Sequence, residues 1–306
     1  MGRRHKRGRA VNGILLLDKP IGETSNRSLQ RAKRLFDAAK AGHTGSLDPL
    51  ASGLLPLCFG EATKVSAFLL DADKAYRCEA KLGVVTNTGD ADGEVIRTRE
   101  VPKLDRQQVE TLLQSFVGEQ DQVPPMFSAI KQNGKALYEL AREGIEVERK
   151  PRTITIYSLE LLEFAEDRLV FDVHCSKGTY VRTLVEDLGE KMGCGAHVTA
   201  LRRTRVAQFR LDDTLTLDDL ALIRDQLGVE GLDAKLVPME EALTEWPQIT
   251  LSDDAAFYLR QGQPVLVPKA PTEGMVRLFE SSGTFIGMGL VLDDGRIAPK
   301  RLLTQA

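Results

Sequence analysis

The chain has 306 residues (33.7 kDa), of which 42% are apolar, enough for one large core and a second small one. Its four cysteines are scattered and include no CxxC pair, so they favour neither a zinc site nor a disulfide framework. The apolar run at residues 13–17 is too short for a signal peptide or a membrane span, so we expect a cytoplasmic protein. The net charge is −3, but the charges are unevenly distributed along the chain. Residues 1–40 form a basic segment with eleven basic and three acidic side chains, and residues 211–250 form an acidic segment with ten acidic and two basic side chains. This pattern is typical of a protein that orients on a polyanion.

The basic segment begins with a tail, residues 1–10, which is equally well explained as a solvated surface extension. After it, the apolar residues 12–17 predict a short buried strand that ends near Lys19 and Pro20. Ser25 is a suitable N-cap for a helix with one apolar side and one basic side.

The stretch AGHTGSLDPLASGLLPLCFGEATK, residues 41–64, places a single carboxylate, Asp48, among glycines and directly before Pro49. Asp-Pro commonly opens a turn, and the spacing alone favours that interpretation over a catalytic one. However, Gly42, Gly45 and Gly53 allow close backbone approach, and the following apolar residues could hold the loop rigidly. A catalytic loop therefore stays open as the alternative.

The middle of the chain alternates between helical and strand patterns. Residues 61–70 predict a helix, residues 76–82 a strand, and residues 104–116 an amphipathic helix closed by Gly118. TNTGDADGE, residues 86–94, superficially resembles a calcium loop, but Thr88 would occupy the first ligand position and Arg99 the position of the bidentate glutamate. We therefore predict a hairpin turn there.

Residues 123–152 begin with a double proline and contain a glycine-bearing polar turn and a short helix near 136–142. They offer little to a core, so they predict an excursion from the sheet whose basic side chains could bind phosphates, with a mobile surface loop as the alternative. Strands are predicted at 153–162 and 169–175.

Thr179 is a suitable cap for the next helix, which places Arg182 in its first turn. A cation opposes the helix dipole there, and it suggests an anionic partner. Asp48 from far along the chain and Glu186 one turn on are equally acceptable partners.

The acidic segment predicts helices that join two domains, and from Trp246 onward short strands predict a small β-domain. We expect its strands at residues 265–267, 275–279, 284–292 and 297–302.

Several chemistries lack their motifs in this sequence, which contains neither GxxxxGK[ST], GxSxG nor HExxH. His43 and Asp48 have no third metal ligand nearby in sequence. What remains is one carboxylate that acts as a nucleophile or base, without a cofactor or metal.

Four segments together resemble the TruB family of tRNA pseudouridine synthases: LLLDKP (15–20), GHTGSLDPLASGLLPLCFGEATK (42–64), KAYRCEAKLG (74–83) and SKGTYVRTLVEDLG (176–189). The resemblance covers essentially the whole chain. It implies an α/β (α+β) catalytic domain, residues 11–245, with helices on a mixed, largely antiparallel sheet and an RNA-clamping insertion at 123–152. A PUA-like β-barrel, residues 246–306, is expected to follow.

The resemblance also implies that uridine 55 in the T loop of tRNA is isomerised to pseudouridine on a flipped-out nucleotide. Asp48 matches the catalytic aspartate, which would attack C1′, attack C6 or take a ribose proton. Tyr76 would stack on the base and remove the C5 proton, although a core tyrosine fits the strand pattern equally. Arg182 would pair with Asp48.

Seven further positions match substrate-binding positions of the family. His43 would occupy the space vacated by the flipped nucleotide, and Tyr180 and Leu201 would line the uracil pocket, although core packing also explains the latter two. Lys19 would serve as a structural or phosphate contact. Phosphate contacts are expected from Arg202, Arg203 and Arg205.

The resemblance implies a monomer that binds the tRNA T stem-loop without a cofactor, a membrane or an obligate protein partner. Two alternatives stay open. One is a non-catalytic RNA-binding or RNA-folding factor, and the other is a guide-RNA-dependent relative that acts on ribosomal RNA. The intact Asp48, Tyr76 and Arg182 disfavour the first, and the long 123–152 excursion disfavours the second.

Overall fold

The computed structural model describes residues 8–132 and 134–304, so most of the predicted basic tail lies outside the described residues. The strands, in chain order, are β1 (Gly13–Lys19), β2 (Ala41–His43), β3 (Ala51–Phe59), β4 (Lys74–Leu82), β5 (Val84–Thr86), β6 (Val95–Thr98), β7 (Gly118–Gln122), β8 (Lys131–Gln132), β9 (Lys135–Ala136), β10 (Arg152–Ala165), β11 (Arg168–Cys175), β12 (Ala196–Val206), β13 (Phe209–Arg210), β14 (Gln248–Thr250), β15 (Val265–Leu266), β16 (Met275–Phe279), β17 (Phe285–Val291) and β18 (Arg296–Leu302). The α-helices are α1 (Ser25–Leu35), α2 (Ser66–Asp71), α3 (Arg106–Gln114), α4 (Leu137–Arg142), α5 (Val181–Lys191), α6 (Leu217–Asp233) and α7 (Asp253–Arg260).

The main sheet has nine strands in the order β1-β3-β12-β4-β11-β10-β7, with β2 added to β3 and β13 to β12. Its pairings are antiparallel except that of β12 with β3. The predicted mixed, largely antiparallel sheet is therefore confirmed. Because β12 lies between β3 and β4, Arg203 of β12 faces Gly53 on one side and Tyr76 on the other.

Alternating apolar side chains on the central strands bury one face of this sheet under the helices. Val109 and Leu113 of α3 and Leu184 and Leu188 of α5 belong to this core. The other face of β1 and β3 forms a second apolar cluster with residues of the C-terminal sheet, among them Phe285. The loop that carries Asp48, just before β3, is thus attached to a strand that is buried on both faces.

Several helix boundaries differ from the sequence predictions. The cap of α1 is Thr24 rather than Ser25, because the Thr24 hydroxyl accepts the backbone N–H of Arg27 (3.2 Å). Thr179 was also wrong as the cap of α5, which begins at Val181.

The predicted helix at 61–70 is divided into a 3-10 turn, Gly60–Lys64, and α2. The predicted helix at 104–116 ends earlier, as α3, and Gly118 instead opens β7 with φ +117°.

The segment 123–152 leaves the main sheet between β7 and β10, as predicted. It carries the β8–β9 hairpin and α4, which lies where the short helix was expected. The turn between β5 and β6 coincides with TNTGDADGE, so the hairpin prediction is confirmed.

The C-terminal part is a five-stranded sheet, β14-β16-β17-β18-β15, which confirms the four predicted strands; α7 was not predicted. The boundaries at residues 245 and 246 remain predictions. Of the described helices, none is long and apolar enough to cross a bilayer.

Candidate active site

The loop that carries Asp48 joins β2 to β3 and is held on both sides of the aspartate. The Ser25 hydroxyl, in the first turn of α1, accepts the N–H of Leu47 (2.7 Å) and donates to its carbonyl oxygen (3.0 Å). The carbonyl oxygen of Pro49 accepts the N–H of Gly22 (2.8 Å). Ser25, which does not cap the helix, thus fixes the residue before Asp48.

Asp48 and Arg182 form an ion pair, although 134 positions separate them in the sequence. Nε of Arg182 lies 3.1 Å from Oδ2 of Asp48. The Arg182 side chain is only 7% exposed, whereas that of Asp48 is 45% exposed. The arginine therefore approaches from inside the protein and leaves the carboxylate open to a ligand.

The remaining nitrogens of Arg182 are also engaged. Nη1 donates to the carbonyl oxygen of Thr88 (2.9 Å) and lies 3.5 Å from Oδ2 of Asp90, and Nη2 donates to the carbonyl oxygen of Phe127 (2.7 Å). Its ion-pair partners in the described part of the chain are thus two aspartates, and Glu186 is not one of them. Such a set fixes the plane of the guanidinium, which an ammonium could not reproduce.

Burial is the main influence on the Asp48 carboxyl and raises its pKa, against the attraction of Arg182 and together with repulsion from Asp90. A raised pKa makes an ionised carboxylate a stronger base and nucleophile than an ordinary aspartate. The ion pair with Arg182 favours the charged form and opposes this rise.

Asp48 lines a cleft with a volume of about 540 Å³. Seven of the ten site residues predicted from the sequence line this cleft, so the structure brings most of them together. They are His43, Asp48, Tyr76, Tyr180, Arg182, Leu201 and Arg203.

Tyr76 is 8% exposed at the cleft wall, and burial raises the pKa of its phenol, opposed by the nearby charge of Arg203. The phenol is therefore neutral and suited to stacking or to donating a hydrogen bond. Burial lowers the pKa of His43, which favours its neutral imidazole. Among the described residues the His43 Nδ1 atom is buried without a hydrogen-bond partner, which is compatible with a partner supplied by a ligand.

Arg203 differs from the surface phosphate contact that the sequence suggested. It is 1% exposed, and its guanidinium donates to the carbonyl oxygens of Leu54 (2.7 Å) and Gly45 (3.2 Å). These two residues lie on either side of Asp48 in sequence. We therefore assign Arg203 to holding the loop that carries Asp48 against β12.

Three predicted residues lie outside the cleft lining. Lys19 is fully buried and donates to two backbone carbonyls of the following turn, and burial lowers its pKa to about 8, so a structural role fits it. Arg202 is half-exposed and pairs with Asp18 (2.6 Å). Arg205 is exposed and borders a separate cavity of about 740 Å³ beside Trp246. Phosphate contacts by Arg202 and Arg205 stay predictions.

Sequence reasoning missed Asp90 and Ser25 as parts of this site. Asp90 lies in the turn between β5 and β6, which was interpreted correctly as a hairpin but without a functional role. The only feature of the sequence that could have pointed to Asp90 is that it places a second carboxylate within a glycine-rich turn. The role of Ser25 was hidden by its suitability as a helix cap.

Solved structures similar to this chain include chains from two larger complexes. A chain from the "Crystal Structure of a Cbf5-Nop10-Gar1 Complex" is 26% identical with a TM-score of 0.75, and the match covers 95% of this chain and 84% of that one. A chain from the "Structure of H/ACA RNP bound to a substrate RNA containing 2'-deoxyuridine" is 24% identical with a TM-score of 0.74, covering 99% and 92%. The second match shows a shared fold.

Family profiles match nearly the whole chain. Residues 33–181 match "TruB family pseudouridylate synthase (N terminal domain)", residues 182–244 the "tRNA pseudouridylate synthase B C-terminal domain", and residues 247–303 "Pseudouridine synthase II TruB, C-terminal". Together with the fold and the paired Asp48 and Arg182, these matches define the class as the pseudouridylate synthases. Within that class, the chain belongs to the TruB family.

Proteins called tRNA pseudouridine synthase B are similar to this chain over nearly their full length. One from Nitrosococcus oceani is 56% identical over 300 residues, which is 98% of this chain and 97% of the relative. Another from Coxiella burnetii is 55% identical over 295 residues (96% of each), and one from Yersinia pestis is 52% identical over 313 aligned positions (100% and 96%).

Proposed function

We propose that this protein isomerises uridine 55 in the T loop of tRNA to pseudouridine, with Asp48 as the catalytic carboxylate. The observation that carries the proposal is the accessible Asp48 carboxylate, which lines an open cleft and is paired with the buried Arg182 guanidinium. The name of the relatives from Nitrosococcus oceani and Coxiella burnetii, tRNA pseudouridine synthase B, supports the choice of tRNA.

In this reaction the bond between C1′ and N1 breaks, the uracil turns and C5 bonds to C1′; the C5 proton then leaves, and N1 takes up a proton. A carboxylate initiates it by attack at C1′, by attack at C6 or by taking a ribose proton. The raised pKa of Asp48 and the exposure of its carboxylate to the cleft suit each of these roles. No net oxidation or reduction is required, since substrate and product are isomers.

The target nucleotide must leave the base stack to reach Asp48. A cleft of about 540 Å³ lies within the size range of small-ligand sites and can admit a nucleoside. Tyr76 offers the ring on which the flipped uracil would stack, and Tyr180 and Leu201 would enclose it. His43, with its neutral ring at the cleft edge, would fill the space that the nucleotide vacates.

The substrate outside the cleft would be held mainly by shape and phosphate contacts. The segment 123–152, which borders the cleft through Phe127 and Ser128, would clamp the T arm. Its basic side chains available for phosphates are Lys131, Lys135, Arg142, Arg149, Lys150 and Arg152. We further propose that one chain acts alone, in the cytoplasm, where tRNA is used.

A transcript of tRNA labelled with tritium at C5 of its uridines tests the proposal, because isomerisation exchanges that hydrogen with water. We expect about one equivalent of tritium to be released per tRNA, and none from a matched transcript with cytidine at position 55. Release that persists with cytidine 55 would refute the position. No release from either transcript, by a protein that binds both, would favour the RNA-folding alternative.

A further inference from the structure

The first turn of α5, which carries Arg182, has no side-chain cap of its own. Tyr180 occupies the N-cap position and makes no capping hydrogen bond through its side chain. The first N–H groups of a helix have no partner within the helix, and an unpaired backbone group is costly when buried. Because Val181 and Arg182 are both buried, another part of the protein must hold the start of this helix.

Gln122, the last residue of β7, supplies that contact. Its side-chain amide pairs with the backbone of Tyr180 in both directions: Tyr180 N–H donates to Oε1 (2.8 Å), and Nε2 donates to the Tyr180 carbonyl oxygen (3.1 Å). Gln122 is 5% exposed and is paired in the sheet with Arg152 of β10. A buried amide with both of its ends bonded fixes the distance and the orientation of the residue that it holds.

The chain that follows Gln122 makes a second contact with the same helix start. We call residues 122–127 the strap. It runs through a double proline, which restricts its backbone, to Phe127, whose carbonyl oxygen accepts Nη2 of Arg182 (2.7 Å). The strap therefore holds α5 at Tyr180 and at Arg182.

We propose that Gln122 is a positioning residue for the reaction of the Asp48 site. By fixing Tyr180 it sets where the Arg182 side chain leaves α5, and thereby how the guanidinium aims the Asp48 carboxylate. Gln122 lies outside the residues that line the cleft, so it acts through the start of α5, which carries Tyr180 and Arg182, rather than by touching the substrate. The inference rests on the proposed function, because the quantity that Gln122 controls is the rate of that reaction.

Gln122→Leu keeps the volume of the side chain and removes both hydrogen bonds. We expect the single-turnover rate of tritium release at saturating tRNA to fall by about tenfold to a hundredfold, since a misplacement of about 1 Å is enough for such a loss. The dissociation constant for tRNA should stay within about twofold of that of the unaltered protein, because no side chain that lines the cleft is replaced.

Gln120→Leu is the matched control. Gln120 lies two residues earlier on β7, and its Nε2 donates to the carbonyl oxygen of Phe116 (2.6 Å) and not to Tyr180 or Arg182. This variant loses a comparable bond between a side chain and the backbone, yet its single-turnover rate should remain within about twofold of the unaltered protein. A rate for Gln122→Leu that equals the rate for Gln120→Leu would overturn the proposal.

A double-mutant cycle tests whether Gln122 acts through Arg182. In an Arg182→Lys background, Gln122→Leu should reduce the rate by less than about threefold further, because the side chain that it positions is already gone. Fully multiplicative losses would contradict the proposal.

Should Gln122→Leu fail to fold, Gln122→Glu provides the same test, since the ionised carboxylate still accepts the Tyr180 N–H and loses only the donor half. Its single-turnover rate should fall below that of Gln120→Leu, and an unimpaired Gln122→Glu would overturn the proposal. An unaltered protein that releases no tritium would instead refute the proposed function.

Discussion

Replacing Glu186 by glutamine should make the stability of the protein less sensitive to pH. Glu186 lies on α5, one turn after Arg182, and its carboxylate faces the turn between β5 and β6. Its Oε1 atom lies 2.6 Å from the position that a Cβ on Gly89 would occupy. Burial raises its pKa to about 7, with the attraction of Arg182 opposing and the neighbouring Asp187 and Asp90 adding to the rise.

The sign and the size of the effect follow from linkage. The folded-state pKa of about 7 exceeds the ordinary glutamate pKa of 4.5, so the folded protein binds more protons than the unfolded chain between these pH values. Stability is therefore lost as the pH rises from about 4.5 to about 7, and the pKa difference corresponds to about 3 kcal/mol. Glutamine does not ionise and escapes this loss.

Urea unfolding followed by circular dichroism at a series of pH values from 4 to 8.5 measures the difference. The unfolding free energy of Glu186→Gln minus that of the unaltered protein should increase by about 2–3 kcal/mol from the acidic to the alkaline end of this series. Glu190→Gln, on the same helix, removes half-exposed surface ion pairs with Arg97 and Arg99 and should cost less than about 1 kcal/mol. A constant difference between Glu186→Gln and the unaltered protein at every pH would refute the reasoning.

Three further substitutions probe the parts that hold the site. Arg182→Lys cannot satisfy all the guanidinium contacts and should slow tritium release by about a hundredfold; an unimpaired rate would contradict the ion-pair geometry. Gly53→Ala introduces strain at φ +100° and places a Cβ 2.3 Å from the Arg203 carbonyl oxygen, so the unfolding free energy should fall by at least about 2 kcal/mol in urea titrations, whereas an unchanged midpoint would argue against this close approach. Ser25→Ala leaves the backbone of Leu47 without its hydroxyl partner and should cost about 1–3 kcal/mol by the same assay, with near-neutral behaviour as the contrary result.

The sequence could predict the features that are encoded locally or by a long motif. Alternating apolar residues located β4 and β11, and the adverse position of Arg182 at the start of its helix suggested Asp48 as one of its two candidate partners. Cap identity was less accessible, because Thr24 and Ser25 are both good caps and only the docking of Leu47 onto Ser25 decides between them.

What escaped sequence reasoning is the set of contacts made by distant backbone groups. Arg203 looks like a surface cation in a run of arginines, but the register of β12 between β3 and β4 turns it inward to the carbonyls of Leu54 and Gly45. Gln122 and Asp90 similarly acquire their roles from elements that meet only after folding. Neither residue type nor spacing carries that information.

The most direct test of the central claim is the activity and tRNA affinity of Asp48→Asn, measured on one preparation. The amide preserves the shape of the side chain but cannot act as a nucleophile or base. We predict a dissociation constant for tRNA within about threefold of that of the unaltered protein and a loss of tritium release of more than about a thousandfold. Turnover that persists at a substantial fraction of the original rate would contradict the assignment of Asp48 as the catalytic carboxylate.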